Sequence, residues 1–244
     1  MLTENTVSKL HEMRLSTMAQ AFHDQMTNTE ITGLPFEDRF SMLVDLEWAN
    51  RKSNRLTRLI RSAEYAIQDA GVENIECLPA RNLDKALISR LATCVYILET
   101  NNVIILGATG AGKTYLASAL GMAANRNFYS VRYVRLPDLL AELAISRGDG
   151  SYRKVMKQYK QVKLLILDEY LLFPLKESEA RDLLEIVEAR HKVVSTIFCS
   201  QFAVAGWHVK LGDPTLADAI CDRIIHNSYT IMIGGDSMRK RILK

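Results

Sequence analysis

Residues 107–114 read Gly-Ala-Thr-Gly-Ala-Gly-Lys-Thr and follow directly on the apolar run Val103, Ile104, Ile105, Leu106. Glycine at 107, 110 and 112 lets the backbone curl until its N–H groups converge on an anion, and a helix starting there turns its positive end toward the same charge. Lys113 has the reach for the β and γ oxygens of a nucleotide, and the Thr114 hydroxyl suits one coordination position on a magnesium ion. The expected phosphate-binding set is therefore Gly107, Ala108, Thr109, Gly110, Ala111, Gly112, Lys113, Thr114 and Tyr115. A glycine turn between strand and helix is the bland alternative. It leaves the Lys-Thr pair, and a carboxylate pair downstream, without a reason.

That carboxylate pair, Asp168 and Glu169, closes the apolar run Leu164, Leu165, Ile166, Leu167. Asp168 suits the magnesium shell, through water, and Glu169 suits accepting a proton from, or aligning, the water that attacks the γ-phosphate. Two such groups favour ATP hydrolysis over simple binding. Ser200 and Gln201 end an expected strand and can reach between the two motifs, although a polar pair there is often only a turn former. Arg223 and Arg239 are the cationic candidates for transition-state charge, and each can equally be a surface arginine.

Around these motifs, apolar runs and helical patterns alternate. Strands are expected at 103–106, 130–134, 163–167, 195–200 and 230–233, and helices at 84–99, 115–125, 136–146, 177–191 and 214–225. Such alternation implies an α/β fold with a parallel sheet covered by helices on both faces, its ligand beyond the strand carboxyl ends. Ahead of it, residues 4–27 read as one helix, and a second is expected from Pro35 to about residue 65, burying Phe36, Phe40, Leu43 and Trp48. Residues 66–82, with Gly71, Pro79 and no periodicity, read as a connector. The expected organisation is an N-terminal helical domain over 1–78 and an ATPase domain over 79–244.

With 48% hydrophobic residues the chain of 244 can bury a sizeable core. No apolar segment reaches membrane-spanning length and the start lacks a secretory pattern, so a cytoplasmic protein is expected. Cys77, Cys94, Cys199 and Cys221 are far apart and have no metal-ligand spacing with the histidines, which predicts reduced thiols. The net charge of +3 is slight, but it is unevenly distributed. Arg51, Arg55 and Arg58 share one sector of the second helix, and Arg147, Arg153, Lys154 and Lys157 form another basic run. Both are candidate DNA-binding groups; a solvated helix face is the alternative for the first.

The chain resembles the IstB family, ATP-dependent helpers of insertion-sequence transposition, and more distantly the DnaC-type helicase loaders, both within the AAA+ ATPases. The likeness covers nearly the whole length. It includes Leu46-Glu47-Trp48-Ala49, Leu83-Asp84-Lys85-Ala86-Leu87, the phosphate loop, Leu165-Ile166-Leu167-Asp168-Glu169, Asp213-Pro214-Thr215-Leu216-Ala217, Cys221-Asp222-Arg223-Ile224 and Gly235-Asp236-Ser237-Met238-Arg239. The resemblance implies an AAA+ P-loop NTPase core with a short C-terminal lid element, ATP and Mg2+ as cofactors, and a bacterial host. Arg223 then looks like an arginine finger serving a neighbouring subunit, and Arg239 like the sensor 2 arginine. Gln201 stands where the family usually has a sensor 1 asparagine, and Leu171-Leu172 where a glycine often follows the acidic pair.

The same resemblance implies a homo-oligomer with nucleotide sites at subunit interfaces, assembled on duplex DNA through largely sequence-nonspecific contacts, remodelling it and serving a partner transposase. It also points to the run from Arg147 to Lys157 as facing a central channel. Alternatives remain: a helicase loader, an ATP-operated DNA-binding scaffold with negligible turnover, and a small-molecule kinase, disfavoured because no acceptor-pocket motif is present. By position alone, the stretch 81–83 is the candidate for adenine contact.

Overall fold

The computed structural model describes residues 2–235; Arg239 and the expected C-terminal lid element lie outside the described residues. The backbone divides into two compact units, Met1–Arg58 and Leu59–Lys244.

In the first unit, α1 (Leu2–Glu12) is followed by α2 (Ser16–Thr27), a single turn α3 (Thr29–Thr32) and the start of the long helix α4 (Phe36–Ala63). The one helix expected over 4–27 is two. Arg14 takes a positive φ of 59°. The Arg14 and Leu15 amides then donate back to the His11 and Leu10 carbonyls at 2.9 and 2.8 Å, the double bond of a Schellman stop without its usual glycine. Polar bonds join α2 to α4: Glu47 Oε2 accepts from the Met18 amide at 3.0 Å, and Gln25 Nε2 donates to the Arg39 carbonyl at 3.0 Å. The expected apolar face of α4 is mostly unburied. Leu43 is 6% exposed, whereas Phe36, Phe40 and Trp48 are 66%, 48% and 58% exposed. A row at four-residue spacing points outward because this small unit has too little surface to cover it.

The second unit opens with the end of α4 and two 3₁₀ turns, Val72–Asn74 and Pro79–Arg81. In order follow α5 (Lys85–Ala92), α6 (Val95–Leu98), β1 (Asn102–Gly107), α7 (Lys113–Arg126), β2 (Val131–Arg135), α8 (Leu136–Asp149), α9 (Tyr152–Gln161), β3 (Leu164–Asp168), α10 (Glu177–Arg190), β4 (Ser195–Ser200), α11 (Trp207–Leu211), α12 (Pro214–Ile225) and β5 (Ser228–Ile233). The expected helix over 84–99 breaks at Cys94, which has a φ of 63°. Residues 64–78, assigned on sequence to the N-terminal domain, pack within the second unit. Tyr65 is 6% exposed and its hydroxyl donates to Asn125 Oδ1 of α7 at 2.7 Å.

The five strands form one parallel sheet in the order β2-β3-β4-β1-β5. The period of two sends Val103, Ile105, Leu164 and Ile166 into a core with α5 and α7, and Ile104, Leu106, Leu165 and Leu167 into a second core with α8, α10 and α12. Burial on both faces explains why the internal strands β1 and β3 read as continuous apolar runs, whereas the edge strands β2 and β5 mix buried and exposed positions. At the amino ends of β3 and β4, Arg190 is 2% exposed. It donates to Tyr159 and Val162 carbonyls at 2.7 and 2.8 Å, to Thr196 Oγ1 at 2.9 Å and to the Ser195 carbonyl. Burial pushes its pKa down to about 9, which still leaves it charged at neutral pH. All four cysteines are free thiols, three of them buried. Among the described residues no helix is long and apolar enough to cross a membrane.

Candidate nucleotide-binding site

Because neighbouring strands all run the same way, the ends of β1, β2, β3 and β4 deliver Gly107, Arg135, Asp168 and Ser200 to one rim of the sheet. The phosphate loop leaves β1 there and enters α7. Gly110 and Gly112 take φ of 80° and 96°, the left-handed region that glycine occupies without strain. Lys113, 8% exposed, folds back over the loop, its Nζ donating to the Gly107 and Ala108 carbonyls at 2.8 and 2.9 Å. Burial lowers its pKa, with the nearby Asp168 carboxylate acting in the opposite direction. An ammonium held by two carbonyls at the mouth of an anion cradle can exchange them for phosphate oxygens.

Asp168 is brought onto Thr114. Its Oδ2 accepts from Thr114 Oγ1 and from the Tyr133 hydroxyl, both at 2.7 Å, while Oδ1 accepts from the Glu169 amide at 2.8 Å. Desolvation, followed by the Asp168 charge, drives the Tyr133 pKa up, which keeps this hydroxyl a donor. A hydroxyl and a carboxylate oxygen within one hydrogen bond, beside a phosphate cradle, suit a hard divalent cation that takes its other ligands from water and phosphate. Magnesium fits these residues. Among the described residues no group of three His, Cys, Asp or Glu forms a dedicated metal cage.

Glu169 has a φ of 51°, a left-handed conformation uncommon for this residue type. Its Oε2 lies 3.6 Å from Arg135 Nη1. Arg135 is itself held by Asp138, with Nε to Oδ2 at 2.7 Å and Nη2 to Oδ1 at 2.9 Å. Tyr133 and Arg135 carried no motif, so sequence reading missed both; their only signal was their place at the end of a strand.

Gln201 reaches the loop, its Oε1 accepting from Thr109 Oγ1 at 2.8 Å. Ser200 does not: it is fully buried, donates to the Tyr170 carbonyl at 2.9 Å and accepts from the Phe202 amide at 3.2 Å. Its hydroxyl is committed to the turn. Arg223 lies on α12 with Nη1 donating to the Ala219 carbonyl at 2.8 Å and Nη2 3.1 Å from Glu188 Oε1, away from the loop residues.

Next to the loop a cavity of about 400 Å³ is walled by Ile67, Ile75, Arg81, Leu83 and Tyr115. Apolar walls of that size beside a phosphate cradle suit a nucleobase. Arg81 and Leu83 fall in the stretch expected there; Ile67 and Ile75 come from the connector, where no periodicity marked them.

The basic groups differ in availability. Arg147 ion-pairs with Asp182 and stacks 4.7 Å from the Tyr152 ring centroid. Arg153, Lys154 and Lys157 are exposed on α9. In the first unit Arg51 is bound to Glu47 at 2.6 Å and to the Arg14 carbonyl at 2.7 Å, and Arg55 and Arg58 line a groove with it.

Fold and rim together define a P-loop nucleotide-binding protein of the AAA+ type. Solved structures agree on the fold: AMPPCP-bound DnaA from Aquifex aeolicus superposes with a TM-score of 0.61 at 22% identity, covering 74% of this chain and 55% of that one. The DnaC helicase loader gives 0.57 at 18% identity, covering 68% and 97%. The family described as IstB-like ATP binding protein matches residues 8–244, and the chain belongs to it. A relative named as an insertion sequence ATP-binding protein, y4pL of Sinorhizobium fredii, is 41% identical over 240 residues, 98% of each chain. The insertion sequence IS21 ATP-binding protein of Pseudomonas aeruginosa is 28% identical over 236 residues, 97% of this chain and 88% of its own.

Proposed function

We propose that this chain is a DNA-dependent ATPase that assembles on duplex DNA, remodels it and assists the transposase of its insertion sequence, in the bacterial cytoplasm. The observation that carries the hydrolytic reading is the Asp168 carboxylate joined to Thr114 at 2.7 Å with Glu169 next to it on the same rim. Gly107, Gly110, Gly112 and Lys113 bind the β and γ phosphates, and the apolar cavity takes the base. Thr114 and Asp168 would hold magnesium, which would supply positive charge against that developing on the phosphates. Glu169 aligns the attacking water and takes its proton, and Gln201, anchored to Thr109, lies where it can orient that water or the γ-phosphate. Arg223 acts on a neighbouring protomer's nucleotide, and Arg239 completes the site within its own.

Exposed Arg153, Lys154 and Lys157, with Arg55 and Arg58, support phosphate contacts that position without reading bases. The exposed row of Phe36, Phe40 and Trp48 supports subunit or partner contact through the N-terminal helices. ATP turnover is to be measured with and without duplex DNA. Lys113→Ala is expected to abolish nucleotide binding, and Glu169→Gln to bind ATP and stall on DNA. No stimulation by duplex and no ATP-dependent assembly would refute the reading. The approach of Arg135 to Glu169 favours a second one, an ATP-operated scaffold with negligible turnover, and the same assay separates them.

A further inference from the structure

The 3₁₀ turn Pro79–Arg81 brings three segments together beside the phosphate loop. Arg81 is 8% exposed, and its Nη2 donates to the Ala111 carbonyl in the loop at 2.8 Å. The Arg81 carbonyl accepts from the Gly234 amide, just past β5, at 2.9 Å. Packing here is close, against a side-chain end at Gly112 and against backbone at Gly107 and Gly234. A Cβ on Gly112 would lie 2.9 Å from Arg81 Nη2, one on Gly107 2.8 Å from the Ile233 carbonyl, and one on Gly234 3.2 Å from the Ala80 carbonyl. The loop, the turn before α5 and the chain leaving β5 are therefore in direct contact.

Arg81 also walls the cavity beside the loop. Among the described residues its guanidinium meets a carbonyl dipole and no carboxylate. Glu76 lines the same cavity, but among the described residues no carboxylate ion-pairs with this buried cation, which sits against a loop shaped for a polyanion.

We propose that Arg81 is a positioning residue: it ties the phosphate loop to the segment leaving β5, so that nucleotide at the loop and the seating of Gly234 are one coupled equilibrium. This rests on the ATP-binding reading. Arg81 acts through the Ala111 carbonyl, which fixes the direction of the loop amides, and through its own carbonyl, which fixes Gly234. Coupling of this kind is reciprocal, so a disturbance at Gly234 must weaken the nucleotide as a disturbance at Arg81 does.

The test uses the full chain, with ATP titrations and hydrogen exchange at the Gly234 amide in wild type, Arg81→Met, Arg81→Lys and Gly234→Ala. In wild type, ATP is expected to slow exchange at Gly234. Arg81→Met, which keeps the stem and removes the charge-assisted bond, is expected to raise the ATP Kd about tenfold and to abolish that slowing. Arg81→Lys retains part of both, since an ammonium still donates to Ala111. Gly234→Ala, with Arg81 intact, is expected to raise the Kd about threefold. A merely structural role would lower Tm and leave the Kd of the folded fraction unchanged, which overturns the proposal. So does Arg81→Met with wild-type affinity and wild-type protection. Should that variant not fold, unchanged affinity in Gly234→Ala overturns it alone. Failure of wild type to bind ATP removes the underlying reading instead.

Discussion

Glu169 is shared between two demands. For the proposed hydrolysis its carboxylate must face a water near the γ-phosphate, yet Arg135 lies 3.6 Å from it and is anchored by two bonds to Asp138. Half-exposed pairs of this kind are worth about 0.5–1 kcal/mol, enough to shift the orientation of a side chain by about two- to fivefold. Arg135→Ala is therefore expected to raise basal ATP turnover by about that factor while leaving the ATP Kd unchanged; a fall in turnover would show that Arg135 orients Glu169 productively. Leu171, two residues on, holds a φ of 54° and is fully buried. Glycine would relieve about 1–2 kcal/mol of left-handed strain but forfeit a buried leucine, about 3–5 kcal/mol. Leu171→Gly is expected to lower unfolding free energy by about 2 kcal/mol in urea titration, so burial accounts for leucine at this left-handed position. Legibility at this scale follows chemistry. Lys113, Thr114, Asp168 and Glu169 belong to motifs that a polyphosphate dictates, whereas Arg81 was placed only by position, and Tyr133 and Arg135 make hydrogen bonds that many sequences can supply.

Among the elements, β1 and β3 were legible because internal strands buried on both faces demand uninterrupted apolar runs, and β4 matches its expected bounds. The helix stops at Arg14 and Cys94 were not, because both are left-handed turns made by residues other than glycine. Helix α9 carries Tyr152, Val155, Met156 and Tyr159 at helical spacing. Its lysines and arginine equal these apolar residues in number and mask their period, so the sequence shows a basic run where the structure has a helix. The apolar row of α4 failed differently: periodicity reports which residues share a face, not whether anything covers it. Replacing Phe36 and Phe40 by serine is expected to change stability by no more than about 0.5 kcal/mol, against about 2–3 kcal/mol for Leu43→Ala, in the same denaturation assay. Large loss from the phenylalanine variants would mean that the row is covered in solution.

For the molecule as a whole, the division after Arg58 has an experimental signature. Residues 59–78 carry no motif, yet they supply Tyr65 to α7 and Ile67 and Ile75 to the cavity beside the phosphate loop. A fragment beginning at residue 59 is expected to fold and bind ATP. One beginning at residue 79 loses a buried tyrosine and two walls of the cavity, and should show reduced Tm and at least tenfold weaker ATP binding, about 1.4 kcal/mol. Equal affinity of the two fragments would return the boundary to the connector.

The parallel sheet separates labour between its two rims. The phosphate loop and the Asp168–Glu169 pair emerge from strand carboxyl ends, while at the far rim the Arg190 guanidinium clamps the amino ends of β3 and β4. Mutations accumulating at that distant clamp would shorten the lifetime of the fold without altering how a bound triphosphate is gripped, so persistence and chemistry can drift apart under selection.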